Sequence, residues 1–116
     1  MMIYKICEAS QWADAERRGV FHGAAVDLAD GYIHFSTASQ VAETAARHFA
    51  TRSDLVLVAV AAEALNDGLT WEPSRGGALF PHLFGVLPMT AVQWVKPLPL
   101  DAQGRHVLPP EVAAPS

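Results

Sequence analysis

The chain is organised around residues 30–40, which read DGYIHFSTASQ. Side chains of a β-strand alternate between two faces, so the apolar Ile33 and Phe35 are predicted to face a core. The opposite face carries three side chains with polar groups: Tyr32, His34 and Ser36. The stretch therefore predicts a half-buried strand that presents reactive groups on one face.

A helix is predicted to follow this strand. Thr37 and Gln40 have the spacing of a capping box, so the helix should begin at about Ala38. Apolar residues then recur at helical spacing: Ala38, Val41, Ala42, Ala45 and Phe49. A helix start has free amide donors that suit an anion or a nucleotide phosphate, which makes His34 and Ser36 candidates for binding one. The alternative is that these two side chains are only solvated or locally hydrogen-bonded.

The composition bounds the class of protein. With 116 residues, 51% of them hydrophobic, the chain is long enough for one globular domain. Its net charge is −4 and its eight Lys and Arg residues are scattered, which argues against binding of duplex nucleic acid. The single cysteine, Cys7, favours a reducing compartment, so a cytoplasmic protein is expected. The longest apolar run, residues 55–62, is far shorter than the roughly 20 residues of a membrane span, so no membrane contact is expected.

Patterns in the rest of the chain predict further elements. Strands are expected at residues 3–7, 55–61, 69–72 and 91–96, with a helix from Ser10 to Gly19 and one helical turn at residues 62–65. Residues 55–61 are apolar on both faces, which places this strand in the middle of the sheet. Residues 20–28 lack periodicity and are predicted to be a loop over the sheet.

The order of these elements predicts an α+β domain at residues 1–98, with a small mixed or mainly antiparallel sheet and two helices. A doubly wound nucleotide-binding fold is disfavoured, because the alternation stops after the second helix and no Gly-rich phosphate loop follows the first strand. Residues 99–116 are rich in proline and are predicted to form an extended or mobile tail.

Several side chains at strand ends and in loops are candidates for one common site: His34 with Ser36, Glu72, Arg75 and His82. A serine hydrolase is disfavoured, because Ser36 lacks the strained Gly-x-Ser-x-Gly turn of such a nucleophile. A metal site of His22, His34, His82 and Glu72 is an alternative. The spacing of these residues matches no ligand signature, so no tightly bound metal is predicted.

Four blocks of the sequence, with two single residues, resemble the bacterial family called Domain of Unknown Function 952. The blocks are residues 3–6 (IYKI) with Trp12, residues 30–37 (DGYIHFST) with Gln40, residues 69–76 (LTWEPSRG) and residues 80–85 (FPHLFG). More remotely, residues 31–36, the helix after them and strand 55–61 are similar to the segment of ADP-ribosyltransferases that cradles NAD. Those enzymes carry a catalytic glutamate on a late strand, where this chain has residues 80–84 (FPHLF), with Glu72 earlier.

This second resemblance implies an ADP-ribosyltransferase-like architecture and a cleft for a nucleotide-like or phosphorylated small molecule, with NAD as a candidate cofactor. The implied catalytic residues are His34, His82 and Glu72, and an ADP-ribosyltransferase-like activity is a further hypothesis. The implied ligand-binding residues are Tyr32, Ser36, Thr37, Gln40, Ser74 and Arg75, with Arg75 as a bidentate phosphate partner. The alternative from another class is a non-catalytic protein-interaction module, in which residues 80–84 are core and the tail is the contact.

Overall fold

The computed structural model describes residues 1–65 and 67–113, and of Arg75 and Ala113 it describes the backbone only. These residues form eight strands: β1 (Met2–Glu8), β2 (Val20–Phe21), β3 (Ile33–His34), β4 (Leu55–Ala61), β5 (Leu69–Pro73), β6 (Leu79–Leu83), β7 (Leu87–Pro88) and β8 (Val92–Pro97). They also form four α-helices: α1 (Ala9–Arg18), α2 (Ala25–Asp30), α3 (Val41–His48) and α4 (Pro110–Ala113). Short 3-10 turns lie at Ala62–Leu65, Arg75–Gly77 and Met89–Ala91.

The central sheet has the order β1-β4-β8, and both pairings are antiparallel. Its middle strand β4 is the run that is apolar on both faces, so its alternate side chains enter two different cores. Val58 and Val60 belong to the core that contains Trp12 of α1. Leu57 belongs to the core that contains Val41 of α3. The prediction that this strand lies in the middle of the sheet is confirmed.

A second antiparallel sheet has the order β3-β6-β5, and β2 pairs with β7 separately. A backbone bridge joins the second sheet to the central one: the N–H of Tyr4 donates to the carbonyl of Ser36 at 2.8 Å, and the N–H of Ser36 donates to the carbonyl of Tyr4 at 2.9 Å. Ile33 and Phe35 are buried in the core, as their alternation predicts. The two sheets therefore meet at Ser36, where the reactive face of residues 32–36 ends.

The predicted α+β class with mainly antiparallel pairing is confirmed, since every described strand pairing is antiparallel. The structure has four described helices where the sequence pattern predicts two. Helices α2 and α4 contain six and four residues, which is too short to show a helical period in the sequence. None of the described helices is long and apolar enough to cross a membrane.

Both ends of α1 can be compared with the sequence prediction. The predicted cap at Ser10 is wrong, because β1 runs directly into a helix whose N-cap is Glu8, without a side-chain capping bond. The predicted end is confirmed: Gly19 has a φ of 80°, and its N–H bonds to the carbonyls of Ala15 and Glu16. Glycine adopts this left-handed conformation without the steric cost that a side chain brings.

The predicted loop at residues 20–28 is only partly correct. Val20–Phe21 pair with β7, and α2 begins at Ala25. The carboxylate of Asp27 accepts the backbone N–H of Ala24 at 2.8 Å and so satisfies a donor at the start of this helix. A two-residue strand and a six-residue helix leave no periodic pattern, which is why the sequence suggests a loop.

Helix α3 begins at Val41 and not at about Ala38, because residues 38–40 form a turn. One half of the predicted capping box is present, since the Gln40 side-chain carbonyl accepts the N–H of Thr37 at 3.0 Å. The Thr37 hydroxyl does not take its expected role and instead contacts the Ser39 hydroxyl at 3.2 Å.

The Pro-rich segment after β8 lies against the domain through its described part. Leu98 and Val112 are buried in the same core as Tyr4 and Leu57. The His106 ring contacts the carbonyl of Arg52 through Nε2 at 2.8 Å. Up to Val112 the segment is therefore not the extended tail that its prolines suggest, because its few apolar side chains find room beside α3. The domain boundary at residue 98 stays a prediction, and residues 114–116 lie outside the described residues.

A pair of leucine truncations tests the burial of Leu57, on the face of β4 that packs towards α3. Leu57 is fully buried, whereas Leu28 on α2 is 66% exposed. Leu57→Ala is expected to lower the free energy of unfolding by about 2–5 kcal/mol, because it leaves a cavity in a packed core. Leu28→Ala is expected to change it by less than about 0.5 kcal/mol. Chemical denaturation of both variants measures this, and equal effects would contradict the burial of Leu57.

Candidate functional site

A cavity of about 530 Å³ opens beside the junction of the two sheets. Its walls combine aromatic and apolar side chains with a few polar ones, which is the usual character of a small-molecule site. The polar side chains come from β1, the end of α2 and α3. Others come from β3 and the residues on either side of it, from the residue after β5, and from β6. They include Lys5, Asp30, Tyr32, His34, Ser36 and His82.

Behind this cavity lies a buried ion pair between Lys5 of β1 and Asp27 of α2. The Lys5 ammonium lies 2.9 Å from Oδ1 of Asp27 and 2.8 Å from its Oδ2, and both side chains are at least 95% buried. The same carboxylate accepts the backbone N–H groups of Ala24 at 2.8 Å and His34 at 3.2 Å. It also contacts Nδ1 of His34 at 2.7 Å.

These contacts keep Asp27 ionised. Burial by itself raises the pKa of the Asp27 carboxyl, but the hydrogen bond from His34 and the charge of Lys5 outweigh burial and lower that pKa to about 2. A buried carboxylate with several donors is therefore a fixed acceptor at neutral pH. It holds the ring of His34 in one orientation.

His34 is held on both sides by carboxylates. Nδ1 lies 2.7 Å from Oδ1 of Asp27, and Nε2 lies 2.9 Å from Oδ2 of Asp30. His82 has a single described carboxylate partner, because its Nδ1 lies 2.7 Å from Oε1 of Glu72. Each imidazole is thus oriented through Nδ1, in the way that a carboxylate orients a catalytic or ligating histidine.

The pairing of the strands brings the two rings together. His34 and His82 are directly opposite each other in the β3-β6 ladder, so their side chains lie on the same face. Their ring centroids are 5.5 Å apart. Glu72 lies opposite Phe80 in the β5-β6 ladder and is therefore a diagonal neighbour of His82.

Tyr32 covers both imidazoles. Its ring stacks on that of His82 at a centroid distance of 4.2 Å and lies 4.6 Å from that of His34. Burial and the nearby carboxylates of Asp30 and Glu72 raise the pKa of Tyr32, so its phenol remains a hydrogen-bond donor at neutral pH. Phe84 extends this aromatic group at 5.1 Å from Tyr32.

The structure brings together most of the residues that the sequence suggests. Five of them line the cavity: Tyr32, His34, Ser36, Ser74 and His82. Glu72 contacts Nδ1 of His82. Thr37 and Gln40 are not among the described lining residues, because the Gln40 amide is engaged by Thr37 and by the carbonyl of Leu79 at 2.8 Å. The Arg75 side chain lies outside the described residues.

The structure also places the residues of two alternatives weighed from the sequence, the four-residue metal site and the disfavoured serine hydrolase. His22 lies at a separate small cavity beside α1, so the four-residue metal site does not assemble. Within residues 1–65 and 67–113, no group of three or more His, Cys, Asp or Glu is arranged to hold a metal ion. The Ser36 hydroxyl contacts the Thr44 hydroxyl at 2.9 Å, and the structure gives Ser36 no described bond to an imidazole base.

Sequence reasoning missed Lys5, Asp27 and Asp30. One signal was present: Lys5 is a charged residue in the centre of an otherwise apolar strand, on the same face as Ile3 and Cys7. A buried lysine needs an acceptor, and carboxylates are the usual choice. The position of that carboxylate, 22 residues away, is decided by how α2 lies against β1.

Comparison with known proteins shows the family of this chain. The family model described as protein of unknown function, DUF952, matches residues 6–95. The chain belongs to this family. A comparison with curated proteins finds no match.

Solved structures share the fold of this chain. A crystal structure of protein CC0527 from Caulobacter crescentus is 47% identical, with a TM-score of 0.93 over 98% of this chain and 100% of that one. A crystal structure of a double mutant of CC0527 is 46% identical, with the same TM-score and coverage. The solution NMR structure of CC0527 is 50% identical, with a TM-score of 0.81 over 90% of each chain. The fold of this chain is therefore shared by a relative that has close to half of its residues identical to those of this chain.

Removing the acidic half of the buried pair is expected to destabilise the protein strongly. Asp27→Asn leaves the Lys5 ammonium buried without a counter-charge, and breaking such a pair costs about 3–5 kcal/mol. The control is Asp14→Asn, which removes an exposed carboxylate of α1 and is expected to cost less than about 1 kcal/mol. Chemical denaturation of the two variants provides the comparison. A loss below about 1 kcal/mol for Asp27→Asn would show that the pair is not a structural requirement.

The ionisation of Asp27 also predicts a pH dependence. Its pKa falls from 3.8 to about 2 on folding, so the unfolded chain binds more protons than the folded one in this range. The resulting stabilisation, about 2 kcal/mol, is fully present above about pH 4 and is lost as the pH falls towards 2. The carboxyl ¹³C shift of Asp27 should titrate with a midpoint near 2 in the folded protein and near 3.8 in urea. Equal midpoints in the two states would refute this account.

Proposed function

We propose that this protein binds a nucleotide-like, phosphorylated small molecule in the cavity beside His34 and His82, with NAD as a candidate. The observation that carries the proposal is the pair of carboxylate-oriented imidazoles, 5.5 Å apart at one cavity wall and covered by the ring of Tyr32. Perturbed or specifically oriented titratable groups that converge on a cavity of this size are typical of ligand and active sites.

The aromatic wall suits the planar part of a nucleotide. Tyr32 offers a ring for stacking, and Phe80 lines the same cavity. The carboxylates of Asp30 and Glu72 lie close to Tyr32 and favour a positively charged ring over a neutral one. The nicotinamide ring of NAD carries such a charge, which is why NAD is the first ligand to test.

The polar groups suit ribose and phosphate. The hydroxyls of Ser36 and Ser74 line the cavity, and Ser74 precedes Arg75 in the turn between β5 and β6. We assign Arg75 the phosphate contact on the basis of its planar guanidinium, which offers two parallel donors to a phosphate. The remote resemblance to ADP-ribosyltransferases supports the same class of ligand.

A catalytic role follows from the same geometry. Nδ1 of His82 is occupied by Glu72, and no described hydrogen bond uses its Nε2, so that nitrogen is available to accept or donate a proton at the cavity. Glu72 then acts as the orienting group of His82 and stabilises positive charge that develops nearby. In this proposal the protein is a transferase or hydrolase of nucleotide-like substrates that relies on acid–base histidines.

Calorimetric titration with NAD, ADP-ribose and AMP tests the proposed ligand class. The wild type should bind at least one of them at millimolar concentration or below. His82→Gln should weaken binding about tenfold, because a hydrogen bond to a charged group contributes roughly 1.5–3 kcal/mol. Arg75→Ala should weaken it by about tenfold to a hundredfold, and Arg75→Lys should also weaken it, because an ammonium cannot reproduce the bidentate contact.

The matched control is His22→Gln, since His22 is exposed and lies at the separate small cavity. This variant should bind like the wild type. If the wild type binds none of the three nucleotides at millimolar concentration, the proposal fails and a protein-interaction module becomes the better account.

A further inference from the structure

We infer that the Asp30 carboxylate occupies the place of the ligand's anionic group and is displaced when the ligand binds. The donor that this anionic group then binds is Nε2–H of His34. The inference rests on the proposed function, because it names the anchor for the phosphate of the nucleotide-like ligand. It also gives Asp30, the first residue of the block DGYIHFST, a role in determining specificity.

The two partners of His34 differ in how firmly they are held. Asp27 is buried, accepts two further backbone N–H groups and pairs with Lys5, so it cannot leave its place without exposing a buried cation. The side chain of Asp30 is 45% exposed, and its described ion pair is the one with His34. An exposed ion pair of this kind is weak and exchanges readily with water or another anion.

The partners of the His34 ring give its two nitrogens different roles. An ionised carboxylate only accepts hydrogen bonds, and a carboxylate oxygen lies beside each nitrogen of His34: Oδ1 of Asp27 is hydrogen-bonded to Nδ1 at 2.7 Å, and Oδ2 of Asp30 lies 2.9 Å from Nε2. The proposal therefore places a proton on Nε2 as well as on Nδ1, because a negative charge beside each nitrogen favours the doubly protonated ring. The Nδ1 side of the ring is fixed by Asp27, whereas its Nε2 side lies beside Asp30 at the cavity. The groups that surround it are the carboxylates of Asp27 and Asp30, the rings of Tyr32 and His82, and the Lys5 ammonium, which shares Oδ1 of Asp27 with Nδ1 of His34.

The position of Asp30 supports exchange. Asp30 is the last residue of α2 and precedes Gly31, whose φ is 88°. A negative charge gains nothing at a helix C-terminus, where the backbone carbonyls already carry partial negative charge. The Asp30 carboxylate therefore depends on His34 for a favourable partner, and an incoming phosphate competes with it for the same N–H.

This competition predicts which ligands the site selects. A phosphate carries more charge than one carboxylate and accepts more hydrogen bonds, so it replaces Asp30, whereas an uncharged nucleoside does not. The chemical class is an organic phosphate with an aromatic base. To replace the Asp30 carboxylate, such a ligand must therefore carry more negative charge than the single charge of Asp30.

The test compares Asp30→Asn with the wild type in the same mildly acidic buffer. The probes are AMP, inorganic pyrophosphate and adenosine, titrated by calorimetry. Asp30→Asn is nearly isosteric and should tighten AMP and pyrophosphate about three- to tenfold while leaving adenosine unchanged. His34→Gln should weaken AMP about tenfold. Glu16→Gln, which removes an exposed negative charge from α1, is the control for net charge and should change none of the affinities.

A second readout does not depend on any variant being folded. Ring ¹⁵N spectra of the wild type should show His34 protonated on both nitrogens, and AMP should shift its Nε2 more than its Nδ1. If AMP fails to bind but pyrophosphate still shifts Nε2 and binds Asp30→Asn more tightly, the nucleotide proposal is wrong and the anion site stands. If Asp30→Asn binds AMP and pyrophosphate no more tightly than the wild type, or tightens adenosine equally, the inference is overturned. Absence of binding by all three probes overturns both.

Discussion

The buried pair of Lys5 and Asp27 is the interaction on which the arrangement of this protein depends. A lysine within the apolar strand β1 must find an acceptor, because an isolated buried ammonium is too costly to keep. Asp27 supplies that acceptor and, with its remaining lone pairs, accepts the backbone of Ala24 and His34. One carboxylate therefore ties the central sheet, the start of α2 and the strand β3 together. Replacing such a network by apolar groups would keep a core but would release the ring of His34.

The candidate site follows from this constraint and from strand register. Asp27 fixes His34, and the β3-β6 ladder places His82 beside it on the same face. The β5-β6 ladder then brings Glu72 within hydrogen-bond reach of His82. Because antiparallel ladders hold opposite residues at nearly constant separation, the relative position of the two imidazoles is a property of the sheet and not of a mobile loop. This is the rigid support that a binding or catalytic site requires.

The site also divides its groups by mobility. The inner groups are fixed by burial, whereas Asp30 and Glu72 are partly exposed at the rim. Such a division lets a cavity exchange solvent and ligand without disturbing the scaffold. The shared fold with CC0527 of Caulobacter crescentus indicates that the scaffold is not peculiar to this chain. The chemistry of the cavity has to be argued from its own side chains, because a fold by itself does not define a function.

The sequence by itself determined the elements whose burial is periodic. The two-sided apolar run of β4 and the alternation of Ile33 and Phe35 are local patterns, so their placement in the sheet and core could be predicted. It also marked His34 and His82, because polar side chains within conspicuously apolar blocks stand out. Only the tertiary structure decided that Asp27 meets Lys5, that His34 lies between two carboxylates, and that Val112 returns to the core. The physical reason is that these contacts join residues that are distant in sequence or lie in elements too short for a period, so no local pattern carries them.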